Sequence, residues 1–83
     1  MTINVVKKNG NKESFQHKKI VDSCLAAGAP SDVAAGIADR IEKSANDGIT
    51  TKEIRDNILQ ELSELKHEWA EAWKEYEKSK GED

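Results

Sequence analysis

The residues with the clearest chemical potential are lysines near the start of the chain. The first 20 residues hold five lysines against the single acid Glu13, a net charge of +4: Lys7, Lys8, Lys12, Lys18 and Lys19. The remainder carries eight basic and 15 acidic residues, a net charge of −7. A basic segment on an acidic chain is suited to binding an anion. A solvated, lysine-rich hairpin explains the same composition, so both interpretations stay open.

Other residues with catalytic or metal-binding chemistry are unfavourably placed. Cys24 lies in an apolar helical pattern between Ile20 and Gly28, which predicts a buried small side chain rather than a nucleophile. Glu64 and His67 have the spacing used in di-metal helical bundles, but such sites need two copies and further glutamates. The sequence contains neither a phosphate-binding loop nor a dinucleotide-binding fingerprint. We therefore expect no catalytic site, no metal site and no enzymatic activity.

Three aromatic residues near the end of the chain, Trp69, Trp73 and Tyr76, recur at helical spacing. Such a stripe usually belongs to a helix's own core, and the alternative is a partner-binding surface. Stacking on nucleic acid is not expected, because the net charge is −3 and the helices are acidic.

Length and composition limit the fold to one small domain. The chain has 83 residues, of which 36% are hydrophobic and 35% charged, enough for one modest core. A single cysteine excludes a disulfide framework and suits a reducing compartment. No apolar run approaches the roughly 18 residues of a membrane span, and no signal peptide is recognisable. We expect a cytoplasmic protein without a membrane partner.

Residues 3–15 have the pattern of a β-hairpin. β-branched residues precede an Asn-Gly pair at 9–10, and residues 13–15 can form the returning strand. Strand alternation predicts two faces, one with Val5 and Lys7, the other with Val6 and Lys8. Because an isolated hairpin is only marginally stable, we expect it to pack on other elements.

Four helical segments are predicted after the hairpin. The first covers residues 17–27 and stops at Gly28, and the second opens with either Pro30 at its start or Ser31 as its N-cap. Thr50 and Glu53 match a capping box for the third. Its apolar stripe comprises Ile54, Ile58, Leu62 and Leu65. The pattern leaves open whether residues 65–67 separate the third helix from the fourth.

These elements predict an α+β fold, in which a small N-terminal β-hairpin or sheet caps a four-helix bundle. We expect the domain to span residues 1–78 and residues 79–83 to form a frayed, charged tail.

The hairpin and the segment around residue 50 together carry a family resemblance. The chain reads Val5-Val6-Lys7-Lys8-Asn9-Gly10, then Phe15 and Lys19-Ile20, and later Gly48-Ile49-Thr50-Thr51 followed by Glu53-Ile54-Arg55. This string closely resembles the ATP-cone domain, a nucleotide-binding regulatory module at the N-terminus of many ribonucleotide reductases and in their bacterial transcriptional repressor. The match covers about residues 3–76, and its spacing makes it fairly specific.

The resemblance implies that ATP or dATP binds under the hairpin, and Mg²⁺ can accompany the nucleotide. It assigns nine nucleotide-binding positions: Val5, Val6, Lys7, Lys8, Glu13, Gln16, Lys19, Thr51 and Arg55. The strand from Val5 to Lys8 lines the nucleotide with its two lysines near the phosphates, which Lys19 also reaches. Glu13 falls near the base or ribose, and Thr51 and Arg55 face the same pocket.

Three departures from the family pattern bear on function. Lys8 replaces the commoner arginine, and Gln16 replaces an Asp or Asn, so the first helix loses a good N-cap. The 83 residues hold neither a reductase catalytic domain nor a Cys-rich zinc ribbon. We therefore expect a freestanding, non-catalytic allosteric sensor of ATP or dATP, whose partner is a ribonucleotide reductase in trans or a second copy of itself. The alternative is a structural or protein-interaction module that kept the cone fold without a working nucleotide site.

Overall fold

A computed structural model of the chain describes residues 3–80. These residues form three short strands and four helices, in this order: β1 (Asn4–Val6), β2 (Lys12–Ser14), α1 (His17–Ala26), α2 (Ser31–Ser44), β3 (Ile49–Thr50), α3 (Thr51–Leu65) and α4 (His67–Lys80). The predicted α+β class, a small N-terminal sheet with a four-helix bundle, is confirmed.

The predicted hairpin is present, with β1 and β2 antiparallel and Val5 opposite Glu13. Its loop is a turn in which the Gly10 N–H donates to the Lys7 carbonyl at 2.9 Å, and Gly10 has a φ of +90°. Glycine suits this position because left-handed backbone is costly for residues with a Cβ.

A third strand, which the sequence analysis did not predict, completes the sheet. β3 pairs in parallel with β1, so that Val5 lies beside Ile49 and the strand order is β2-β1-β3. A further bond joins β1 to the residues before β3, since the Asn4 N–H donates to Oδ1 of Asp47 at 2.8 Å. This contact brings the start of α3 to the hairpin.

Local signals set most helix ends. The Gly28 N–H donates to Leu25 and the Ala29 N–H to Cys24, at 3.0 and 3.1 Å, while Gly28 has a φ of +101°. This is a Schellman motif, and it ends α1 where the sequence predicts. α2 begins at Ser31 with Pro30 as its N-cap and without a side-chain cap. The interpretation of Ser31 as the cap is therefore wrong.

The capping box predicted for α3 is confirmed. The Glu53 N–H donates to Oγ1 of Thr50 at 3.1 Å, and the Thr50 N–H donates to Oε1 of Glu53 at 3.4 Å. At the other end, Lys66 takes an extended conformation (φ −162°, ψ 118°) and separates α3 from α4. This settles the boundary that periodicity left open.

The core lies between the four helices, with α1 packed on α2 and α4, and α3 packed on α2 and α4. Its most deeply buried large side chains come from the first three helices: Cys24, Ile37, Ile41 and Leu62. Leu65, expected in the stripe of α3, is 53% exposed because it is the last residue before the chain turns into α4.

The described part of α4 runs through Lys80, so two residues of the expected tail are helical. The rest of that tail, 81–83, lies outside the described residues. None of the helices that the structure describes has the length and apolar character needed to cross a bilayer.

Candidate functional site

A cavity of about 170 Å³ lies beneath the hairpin, enclosed by β1, β2, α1, α3 and α4. Its buried lining is mainly apolar and comes from four of these elements: Val5, Ile20, Ile58 and Trp73, with Ser23 as the one buried polar residue among the lining residues described. Half-buried or exposed polar side chains form its mouth. The cavity thus combines an apolar interior with a charged entrance, a common arrangement in small-molecule sites.

The structure brings most of the sequence-predicted site residues to this cavity. Seven of the nine positions line it: Val5, Lys7, Glu13, Gln16, Lys19, Thr51 and Arg55. Val6 and Lys8 are not in the lining. Val6 follows Val5 in β1 and so projects from the opposite face of that strand, while Lys8 lies beyond the end of β1, in the turn of the hairpin.

Glu13 lies between two lysines at the mouth. Its Oε2 is 3.5 Å from Nζ of Lys7 and its Oε1 is 3.6 Å from Nζ of Lys19. The carboxylate therefore serves as counter-ion to lysines from two different elements, the hairpin and α1. Without it, their mutual repulsion would disfavour this convergence.

On the other side of the mouth, Arg55 of α3 pairs with Glu77 of α4, with Nε and Oε1 3.4 Å apart. The Glu77 side chain is only 18% exposed. The cavity lining therefore holds three cations and two carboxylates, a net charge of +1. The sequence analysis did not identify Glu77.

The first turn of α3 also faces the cavity, because Thr51, its first residue, is part of the lining. A helix N-terminus carries a partial positive charge that favours anions. At α1, by contrast, Gln16 is the N-cap residue and makes no side-chain capping bond. This agrees with the expected loss of an N-cap at that position.

Trp73 contributes the least expected feature of the cavity. Its side chain is 5% exposed and lines the cavity, and its indole Nε1 is buried without a hydrogen-bond partner among the described residues. A buried, unpaired N–H costs about 1–3 kcal/mol, so such groups usually have an explanation in function or bound water. The prediction that Trp73 belongs to the core is confirmed. Apart from the aromatic stripe, nothing in the sequence indicated that Trp73 also lines the cavity. Glu77, one turn later on the same helix, shares this placement.

A second cleft of about 410 Å³ lies between α2 and α3 but is a weaker candidate. Its arginine, Arg40, is already held by Glu61 through bonds of 3.0 Å from Nε and 2.7 Å from Nη2. That pairing raises the pKa of Arg40. Glu64, a further acid in the lining, makes the cleft unsuitable for an anion.

The remaining candidates from the sequence lie away from the first cavity. Cys24 is fully buried, as predicted, and burial raises the pKa of its thiol to about 11. His67 and Glu64 are both exposed, and Nε2 of His67 is 3.8 Å from a carboxylate oxygen of Glu71. Neither residue lines the cavity that holds the predicted nucleotide-binding positions.

Comparison with known proteins identifies the family. No curated protein matches the sequence. The family model of the ATP cone domain, however, matches residues 3–82, nearly the whole chain. The matched range includes every element that encloses the cavity. The chain therefore belongs to the ATP-cone family, whose members are regulatory, non-catalytic domains that bind adenine nucleotides as effectors.

Proposed function

We propose that this chain is an allosteric sensor that binds ATP or dATP in the cavity beneath the hairpin and responds by changing its contacts with a protein partner. The observation that carries the proposal is the cavity's composition. An apolar interior with an unpaired indole N–H on Trp73 opens onto three cations supplied by β1's end, α1 and α3. These are the complementary partners of a base and of phosphates.

The size of the cavity suggests how a nucleotide is divided between interior and mouth. Its 170 Å³ lies below the range of about 300–1,000 Å³ typical of small-molecule pockets. The apolar interior therefore accommodates the base, while the phosphates lie at the open mouth near Lys7, Lys19 and Arg55. Mg²⁺ bound to the phosphates would lower the negative charge that these side chains must balance.

The proposed contacts follow from the chemistry of each side chain. The ammonium groups of Lys7 and Lys19 and the guanidinium of Arg55 donate to phosphate oxygens. Glu13 accepts a hydrogen bond from a ribose hydroxyl while keeping both lysines in place. Thr51 adds the partial positive charge of the α3 N-terminus.

A regulatory role requires two states that bind the nucleotide differently. We propose as partner a ribonucleotide reductase acting in trans or a second copy of this chain. Pull-down with ATP-loaded protein from its source cells, together with sedimentation with and without ATP, tests this assignment. Recovery of no reductase and an unchanged mass with ATP would refute it.

The proposal is tested by titrating the protein with ATP, dATP, GTP and CTP, each with Mg²⁺, in a calorimeter and by NMR. We expect saturable binding selective for adenine nucleotides, with amide shifts centred on Val5–Lys19 and Thr51. The tryptophan fluorescence should change as well, since Trp73, one of the chain's two tryptophans, lines the cavity. Absence of binding at millimolar nucleotide would refute the proposal and favour a structural or protein-interaction module.

A further inference from the structure

Glu77 places a negative charge inside the site proposed to bind phosphates. Its carboxylate lines the cavity, is 18% exposed, and lies 3.4 Å from Nε of Arg55. It also lies one helical turn after Trp73, so that α4 presents the indole and the carboxylate to the same cavity. An acid in this position opposes the binding of an anionic ligand.

A carboxylate and a phosphate compete for the same donors of an arginine. The guanidinium is a planar fork that binds either group through parallel N–H···O bonds. Arg55 can hold both at once only if two like charges lie within a few ångströms of each other, which is unfavourable where water is partly excluded. A phosphate that binds Arg55 must therefore displace Glu77 or remain weakly bound.

The two carboxylates of the cavity differ in whether a bound phosphate must displace them from their cationic partners. Glu13 is paired with two lysines, whose long side chains can turn to a phosphate without leaving the carboxylate. Glu77 is paired with Arg55, whose N–H groups a phosphate would also use, and its side chain is 18% exposed, against 30% for Glu13. A phosphate that binds Arg55 therefore competes with Glu77 for the same donors, whereas one that binds Lys7 and Lys19 leaves Glu13 in place.

Resting on the proposed function, we propose that Glu77 is a built-in competitor for the nucleotide's phosphates at Arg55. In the ligand-free protein the carboxylate of Glu77 holds the guanidinium and joins α4 to α3. Phosphate binding at Arg55 breaks this ion pair and so removes one link between α4 and α3. Glu77 therefore sets the affinity of the site and transmits its occupancy to α4.

The test compares E77Q with a matched control, E75Q, by calorimetry with ATP plus Mg²⁺ and with adenosine. Glu75 is exposed on the same helix and is not in the cavity lining, so E75Q makes the same change in net charge. We expect E77Q to bind ATP about threefold to tenfold more tightly than the wild type, the range for removing a partly exposed charge interaction. E75Q should stay within about twofold of the wild type because its charge is screened by solvent.

Adenosine separates competition for phosphate from a change in cavity shape. Since adenosine carries no phosphate, E77Q should bind it with wild-type affinity. If E77Q gains affinity equally for ATP and adenosine, Glu77 acts on the cavity as a whole and the inference is wrong. Equal ATP binding by E77Q and the wild type also overturns it, while leaving the proposed function intact.

Two further outcomes separate the inference from the proposed function. If neither protein binds ATP, both fail. If only E77Q binds ATP, the competitor role is supported and sensing by the native chain is refuted.

A measurement on the wild type covers the case in which E77Q does not fold. The ¹³C signal of the Glu77 carboxylate should shift on addition of ATP but not of adenosine. No shift with saturating ATP would overturn the inference.

Discussion

Replacing Lys19 by alanine should weaken nucleotide binding while leaving the free protein almost as stable as before. Lys19 lines the cavity, and its ammonium group lies 3.6 Å from one oxygen of the Glu13 carboxylate. The other carboxylate oxygen remains 3.5 Å from Lys7 in the variant. Loss of the Lys19 side chain therefore leaves no buried charge without a counter-ion.

The two expected magnitudes differ for a physical reason. The pair is largely solvated, with side chains 61% and 30% exposed, so its loss costs only a few tenths of a kcal/mol and lowers the melting temperature by about 2 °C. A hydrogen bond from an ammonium group to a phosphate contributes more. Discounted for the exposure of Lys19, its loss costs about 1–2 kcal/mol, a roughly 5- to 30-fold rise in the ATP dissociation constant.

The adjacent residue provides a matched control for this experiment. Lys18 is 84% exposed, pairs with Asp22 at 2.8 Å and does not line the cavity. K18A therefore removes the same charge from the same helix without removing the proposed contact. The test measures ATP affinity by calorimetry and the melting temperature of K19A, K18A and the wild type. Equal ATP affinities for the two variants would refute the proposed role of Lys19, and a melting temperature lowered by about 10 °C in K19A would show that it is structural.

Three further predictions concern the sheet, a helix cap and the core. K7A should weaken ATP binding about as much as K19A, roughly 5- to 30-fold. K8A should change ATP binding by less than about threefold, because Lys8 is outside the cavity lining. Equal losses in calorimetry would contradict the proposed position of the phosphates at the cavity mouth. T50A should lower the melting temperature by roughly 4–8 °C, since it removes the N-cap of α3, which contributes about 1 kcal/mol. S31A, at the start of α2 where no side-chain cap bond exists, should melt at the same temperature as the wild type. Burial raises the pKa of the Cys24 thiol to about 11. The unfolded chain therefore loses this proton at lower pH than the folded protein, and the free energy of unfolding should fall as pH rises from about 8.5 towards 11. Urea denaturation across this range should show a smaller decline for C24A, and identical curves for C24A and the wild type would contradict the raised pKa.

Several features of the fold were predictable because their signals are confined to a few neighbouring residues. The capping box requires only Thr50 and Glu53, three positions apart. The end of α1 requires a residue that tolerates positive φ, which Gly28 provides. Such local preferences act in the same way in almost any surrounding structure.

The candidate site could be predicted only in part, and mainly from family resemblance. Seven of the nine expected positions line the cavity, drawn from the hairpin, α1 and α3. Val6 and Lys8 are not in the lining, and their role as nucleotide contacts stays a prediction from the resemblance. Spacing alone does not bring Lys19 and Arg55 together, because no local interaction links residues 36 positions apart.

The sequence by itself determined the hairpin, the capping box of α3, the end of α1 and the burial of Cys24, since each depends on short-range backbone preferences or on a continuous apolar pattern. Tertiary structure alone decided that β3 joins β1, because a two-residue strand has no periodicity and exists only through its partner. It also decided that Glu13 bridges two lysines and that α4 brings Trp73 and Glu77 into the cavity. Those contacts join residues on different elements, and their charges and hydrogen bonds acquire meaning only when packing has placed them within a few ångströms of each other.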